Sequence, residues 1–429
     1  MSSQENQGIS VAVDQNEYLA EGADTVDAIV TVEAGADFVA AETPPERVEI
    51  LIIDCSGSMA TGRKFQGARE ATLAALDVLD QDTRFAIIEG TAKARLIFPK
   101  DEPSLPATPQ NLAAARRQLD KLRPSGGTAM GTWLGLARQL AKKHEGAMVH
   151  AILLTDGKNE HEEPETLEAE IKLSEGLFTC DCRGVGADYV VKEMQQISNA
   201  LHGGTDVVKE AEGLAADFRA MMESSLAKAI PELRLRVWTP AGATVNYVKQ
   251  VAPAILDLTG MQVENSPQVR DFPLGSWGAE EREYHLQVRV EPAAPGREKA
   301  AARVTVFAGE QEVGKGLVRA VWTEDTELSA RISDRVAKYT DQAELAQVVQ
   351  EGLDARKLGD VDTATAKLRR AVELATQAGN AETAKLLRNV VEVDEHNGTV
   401  RLRTKVEAFD EKALEARSVK TVRIPPKQS

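Results

Sequence analysis

Three short runs constrain this chain more than any other feature: Val48-Glu49-Ile50-Leu51-Ile52-Ile53, Arg84-Phe85-Ala86-Ile87-Ile88 and Met148-Val149-His150-Ala151-Ile152-Leu153-Leu154. Near-continuous apolar, β-branched runs suit strands covered on both faces, as in a parallel sheet; a half-wet strand would alternate. Between and after them lie stretches of helical periodicity: Lys64 to Leu79, Pro109 to Leu122, Ala129 to Lys143 and Pro164 to Glu175. Phe178–Gly186, Tyr189–Leu201 and Gly204–Val208 continue the alternation. Strand and helix in turn predict a doubly wound, mostly parallel α/β domain over residues 47–229.

On either side the period changes to two. Ile9, Val11 and Val13, then Val26, Ala28, Val30 and Val32, alternate with small or polar residues before this domain. Leu233, Leu235 and Val237, then Tyr284, Leu286, Val288 and Val290, do so after it, and Val304, Val306, Leu317, Val318 and Val321 extend the set. Residues 1–46 are too few for a core of their own. They are therefore expected to pair with 230–325, which makes the α/β domain an insertion in a β-sandwich, with Thr43-Pro44-Pro45 at the boundary. Residues 326–417 read as a helical bundle. Ala343–Lys357, Val361–Ala378 and Ala381–Val391 are separated by Gly359-Asp360 and Gly379-Asn380, turn pairs that end one helix and start the next. A tetratricopeptide-like hairpin and a plain three-helix bundle fit equally well. Asn397-Gly398, between Val391–Val393 and Thr399–Leu402, reads as a tight turn. Residues 418–429 carry only basic charges and include Pro425-Pro426, so they read as an exposed, flexible tail whose charges pair with the protein's own acidic surface; the lesser alternative is that a kinase reaches Thr421.

A net charge of −16 opposes binding to a phosphate backbone, and aromatic residues at 4% leave few stacking platforms, so no nucleic-acid partner is expected. The longest apolar stretch, Ala147–Leu154 with His150 inside it, falls far short of a bilayer span. No basic residue precedes Arg47, as a secretory leader would require, and three cysteines suggest no disulfide framework. The expectation is a cytoplasmic protein without membrane contact. Cys180 and Cys182 share one strand face and read as core thiols, and Cys55 is expected to pack inward.

The chemistry gathers at strand ends. The first apolar run stops at Asp54-Cys55-Ser56-Gly57-Ser58, where ligands of open α/β sheets bind. Ser125-Gly126-Gly127-Thr128 adds a hydroxyl on a glycine-rich loop, and Thr155-Asp156-Gly157 ends the third run with a second carboxylate. Two carboxylates and three hydroxyls form an oxygen-only donor set, suited to Mg²⁺ or Mn²⁺ rather than Zn²⁺. His161, just beyond, reads as part of a solvated loop that could also shape a partner surface. Nucleophile-elbow, phosphate-loop, dinucleotide and zinc-protease patterns are missing.

Asp54-x-Ser56-x-Ser58, then Thr128, then Asp156 in a Thr-Asp-Gly turn, resembles the metal-ion-dependent adhesion site of von Willebrand factor type A (VWA) domains, over roughly residues 47–229. The flanking sandwich and helices add a resemblance to bacterial VWA-domain proteins. The resemblance implies that Ser56, Ser58 and Thr128 contact the ion, that Asp54 and Asp156 act mostly through water, and that an Asp or Glu of a protein partner completes the coordination. It implies a metal-dependent interaction module or scaffold, not an enzyme. The alternative is a Mg²⁺-dependent hydrolase or phosphotransferase with Asp54 as nucleophile. A phosphotransferase of the haloacid-dehalogenase type would carry a second aspartate where this chain has Ser56.

Overall fold

The computed structural model describes residues 8–16, 18–35, 38, 45–394 and 399–423. Thr43-Pro44, Asn397-Gly398 and Pro425-Pro426 lie outside the described residues. The chain forms two compact units, Met1–Ala40 with Glu232–Ser429, and Ala41–Pro231.

Strands β1 (Ile9–Gln15), β2 (Leu19–Ala20) and β3 (Thr25–Ala34) come first. The Ala41–Pro231 unit then contributes β4 (Arg47–Asp54), β5 (Thr83–Gly90), β6 (Ala94–Phe98), β7 (Leu105–Pro106), β8 (Met148–Thr155), β9 (Thr179–Val185) and β10 (Thr205–Val208). Their order is β10-β9-β8-β4-β5-β6, with β7 beside β5. The first five are mutually parallel, and only β6 and β7 run antiparallel to β5. Helices α1 (Lys64–Leu76), α2 (Pro109–Leu119), α3 (Met130–Ala141), α4 (Pro164–Ser174), α5 (Val191–Ala200) and α6 (Leu214–Leu226) connect them. Leu51, Ile53, Ile87 and Leu154 share a core with Ala71 and Leu76 of α1, Leu119 of α2 and Phe218 of α6. Helix α3 packs along β4, β5 and β6, and α5 along β9. Gly90 is obligatory there: a Cβ would fall 2.5 Å from the Trp133 ring, whose indole donates to the Thr91 carbonyl at 2.6 Å.

Two residues in these apolar runs are buried and charged. Glu49 and His150 are register partners on β4 and β8. His150 Nδ1 lies 2.7 Å from Glu49 Oε2, and its Nε2 lies 2.9 Å from Asp181 Oδ2 on β9. The Ser225 hydroxyl donates to Glu49 Oε1 at 2.8 Å. Burial works against the imidazolium, but the Glu49 charge and the hydrogen bond to Asp181 outweigh it and raise the His150 pKa to about 9. Burial would raise Asp181, yet its hydrogen bond and charge interaction with His150 hold it well below the ordinary carboxylate range.

In the other unit follow β11 (Leu233–Trp238), β12 (Thr244–Ala252), β13 (Leu256–Asp257), β14 (Val263–Ser266), β15 (Val269–Pro273), β16 (Glu280–Arg289), β17 (Glu298–Ala308) and β18 (Gln311–Thr323). One sheet has the order β1-β3-β16-β12-β13, the second β14-β15-β11-β17-β18-β2. The N-terminal strands therefore complete both sheets: β3 pairs with β16 along Thr25–Ala34, and β2 pairs with β18. The sheets meet closely where Gly314 and Gly316 of β18 face Val11 and Val13 of β1; a Cβ on either glycine would fall within 2.6 Å of a valine methyl. The leucines and valines of β11 are buried while its arginines are not, which is the alternation the sequence carries.

The helical region comprises α7 (Thr326–Ser329), α8 (Asp334–Lys357), α9 (Val361–Gln377), α10 (Ala381–Val390) and α11 (Ala408–Arg417), with β19 (Val391–Val393) and β20 (Val400–Leu402) paired antiparallel between the last two helices. Neither of the two expected forms describes it, because Val391 and Val400 of this hairpin join Val349 of α8, Leu368 of α9, Leu387 of α10 and Leu414 of α11 in one core. Helix α8 starts well before Ala343, at Asp334, capped by the Ser333 hydroxyl. Asp360 and Asn380 cap α9 and α10 through their side chains.

The reading of a flexible tail from residue 418 is corrected for its described part, although Lys420, Val422 and Arg423 are exposed and Arg423 pairs with Glu281, as expected of basic residues on an acidic surface. Val419 and Thr421 bond to the backbone of Ile255 and Pro253, and the Thr421 hydroxyl donates to the Val251 carbonyl at 2.6 Å. Val422 exchanges two hydrogen bonds with the Gln342 side chain of α8. Basic composition suggested solvent; satisfying backbone groups against a strand end and a helix decided otherwise. Among the described residues no helix is long and apolar enough to cross a membrane.

Candidate metal centre

Parallel strands place their carboxyl ends on one edge, and three loops meet there. Asp54 ends β4, and Asp156 directly follows β8, its neighbour in the sheet. The first loop is tied to the glycine loop by the backbone: Gly57 N–H donates to Gly126 O at 2.9 Å, and Ser125 N–H to Cys55 O at 2.7 Å. Gly126 takes a left-handed φ of 80°, which suits glycine.

The five residues expected to form the site come together. Asp54 and Asp156 are fully buried, and Ser56 and Thr128 nearly so. Ser56 Oγ lies 2.9 Å from Ser58 Oγ, and Ser58 Oγ donates to Asp156 Oδ1 at 2.6 Å. Asp54 Oδ1 accepts the Ser56 N–H at 2.7 Å, and its Oδ2 accepts the Thr155 hydroxyl at 2.6 Å. A Cβ built on Gly157 would lie 2.9 Å from Thr128 Oγ1, 3.4 Å from Ser58 Oγ and 3.7 Å from Asp54 Oδ2. Oxygens of the first loop and the glycine loop thus face a point on the third loop that Gly157 leaves open, with Asp156 tied to the first loop through Ser58. Such a cradle fits a hard divalent cation. Burial raises the Asp54 pKa, and the charge of Asp156 adds to this against hydrogen bonds from Ser56 and Thr155. Among the described residues no group of three or more His, Cys, Asp or Glu is placed to hold a metal. Three of the five residues gathered here carry hydroxyls instead.

Several supporting residues were not legible beforehand. Thr155 orients Asp54. The loop after β8 caps α3, whose own N-cap, Ala129, has no side chain for the task. Asn159 Oδ1 accepts from Met130 N–H at 2.7 Å, and Glu162 Oε1 from Gly131 N–H at 2.6 Å. His161 is exposed, as expected of a loop residue, but it is not merely solvated: its Nδ1 accepts the Thr128 N–H at 3.1 Å, and its backbone N–H donates to Thr128 O at 3.0 Å. Its ring lies over Gly127, where a Cβ would fall 2.2 Å away. Lys64, in the first turn of α1, sets its Nζ 2.7 Å from Asp156 Oδ2 and 3.0 Å from Asp188 Oδ2. The sequence held one signal for this: a cation at the positive end of a helix is unfavourable unless an anion faces it. Cys55, Cys180 and Cys182 are free and buried, as expected.

Residues 50–158 match the von Willebrand factor type A domain family, and residues 373–418 match the von Willebrand factor type A C-terminal domain. The chain is similar to a solved structure, the von Willebrand factor type A protein from Catenulispora acidiphila, at 46% identity and a TM-score of 0.93, with 99% of each chain covered. It shares a fold with the ArnB paralog VWA2 from Sulfolobus acidocaldarius, at 13% identity and a TM-score of 0.61, over 96% of this chain and 98% of that one. An uncharacterized protein of Synechocystis sp. is 27% identical over 253 residues, and the match covers 58% of each sequence, so the chain spans somewhat over half the length of that curated relative.

Proposed function

Since the chain belongs to the von Willebrand factor type A family, we propose that it is a metal-dependent protein-interaction module or scaffold, with Asp54, Ser56, Ser58, Thr128 and Asp156 holding one Mg²⁺ or Mn²⁺. The observation that carries this reading is the gathering of Asp54, Ser58 and Thr128 oxygens around the open point at Gly157, with Asp156 joined to them through Ser58. A divalent ion held there supplies a Lewis-acidic position for an Asp or Glu of a protein partner. The protein's own part is positioning. Thr155 and the Ser56 N–H fix Asp54, Ser58 fixes Asp156, and His161 holds the backbone of Thr128. Both Asp54 oxygens are engaged and the residue is fully buried, which speaks against the alternative in which it attacks a phosphoester. The net charge of −16 favours a protein partner over nucleic acid or an anionic membrane surface, and three free thiols suit the cytoplasm.

Calorimetric titration of Mg²⁺ and Mn²⁺ into the full chain tests the proposal. One site is expected in the wild type and none in Asp54→Ala; because the change removes a buried, hydrogen-bonded side chain at the end of β4, circular dichroism checks that the fold survives. Equal heats for the two proteins would overturn it. Crosslinked capture of partners should then be sensitive to EDTA.

A further inference from the structure

We infer that Lys64 is the fixed counter-charge of this ion site, weakening its hold on the metal while making the loaded site attractive to an anionic ligand. The inference rests on the metal reading above. Asp54 and Asp156 are both fully buried. The hydrogen-bond donors to Asp54 described above are neutral, whereas Asp156 divides its oxygens between the Ser58 hydroxyl and the Lys64 ammonium. The lysine is held in place from both sides. Asp188, in the loop after β9, takes the far side of the ammonium at 3.0 Å. Gly186 of the same loop leaves the stem room to pass, since a Cβ there would lie 3.2 Å from Lys64 Cε. Lys64 is 18% exposed, while Asp188 is 71% exposed, so solvent weakens its pairing with the ammonium relative to that of buried Asp156.

The charges gathered at the site are therefore two buried carboxylates and one partly buried ammonium. A divalent ion would leave this cluster with one positive charge in excess, which the carboxylate of an incoming Asp or Glu neutralises. Without Lys64 the loaded cluster would be neutral, and the same ligand would leave it negative. The ammonium must also repel the metal. Even at the dielectric constant of water, a unit charge about 6 Å from a divalent ion changes its affinity on the order of tenfold.

The test uses the full chain and Mn²⁺ alone, then Mn²⁺ with acetate as the carboxylate probe. Affinity is read by calorimetry, and displacement of water from bound Mn²⁺ by water-proton relaxation. Lys64→Met should bind Mn²⁺ about tenfold more tightly and need more acetate to lose its relaxation signal. Lys64→Arg, which keeps the charge, should stay near wild type. Lys64→Gln is a second neutral variant if methionine disturbs the fold, with circular dichroism as the check. A structural role alone would not tighten metal binding in neutral variants and spare it in arginine. Equal or weaker Mn²⁺ binding by both neutral variants, with the wild-type site intact and lost in Asp54→Ala, overturns this inference only. No Asp54-dependent binding in any of these proteins overturns the metal reading and this inference with it.

Discussion

The buried Glu49–His150–Asp181 array should make the stability of the α/β unit depend on pH in a window that no surface group explains. His150 has its folded pKa raised to about 9, against an unfolded value of about 6.5. A group raised in this way contributes its full stabilisation below the unfolded value and loses it as pH climbs through the folded one. The interval corresponds to about 3 kcal/mol. Asp181 has the opposite sign: its contribution is in place throughout this window and is lost only as pH falls below the ordinary carboxylate range. The control is the double variant Glu49→Gln/His150→Gln, which keeps hydrogen-bonding side chains on β4 and β8 but removes their charges. Urea unfolding would be followed by pulsed hydrogen–deuterium exchange of peptides from β4, β8 and β9, which reports this unit by itself. The wild type should lose about 3 kcal/mol relative to the variant between about pH 6.5 and 9.5. General effects of the acidic net charge are common to both proteins and cancel in the difference. Parallel curves across that range would refute the claim that a protonated imidazole is held between two carboxylates.

Gly157→Ala should place a methyl among Thr128, Ser58 and Asp54 and weaken Mn²⁺ binding by at least about tenfold, roughly 1.4 kcal/mol; unchanged calorimetry would contradict the cradle. Glu162→Ala should cost about 0.5–2 kcal/mol in urea unfolding, because Gly131 N–H loses its cap at the start of α3. Thr421→Val should lower the stability of the sandwich-and-helix unit by about 1 kcal/mol through the lost bond to Val251, and a neutral result would mean that the segment is not held as described. Removing residues 1–46 should leave β16 without its β3 partner and cause aggregation, while residues 41–231 expressed alone remain soluble and folded. A monomeric deletion protein with unchanged thermal unfolding would count against the shared sheet.

Much of this protein is legible in its sequence because local chemistry suffices for it. Runs such as Val48–Ile53 announce strands covered on both faces, the alternation in Leu233–Trp238 announces a half-wet sheet, and Asp54, Ser56, Ser58 and Asp156 sit at strand ends that a parallel sheet gathers, with Thr128 on a glycine-rich loop of matching chemistry. What periodicity cannot register is a contact between distant segments. Glu49 and His150 pass as interruptions in apolar runs until β4 and β8 lie side by side with β9 adjacent, and only then does each buried charge have its partner. The residue before helix α3 is an alanine, and the cap comes from Asn159 and Glu162, beyond another strand. Basic residues and prolines near the end suggested a solvated tail, but unpaired backbone at Pro253 and Ile255 and the side chain of Gln342 captured it. Lys64 is an ordinary helix lysine in one dimension; the fold turns it toward Asp156, because two buried carboxylates need a cation and the first turn of α1 lies within its reach.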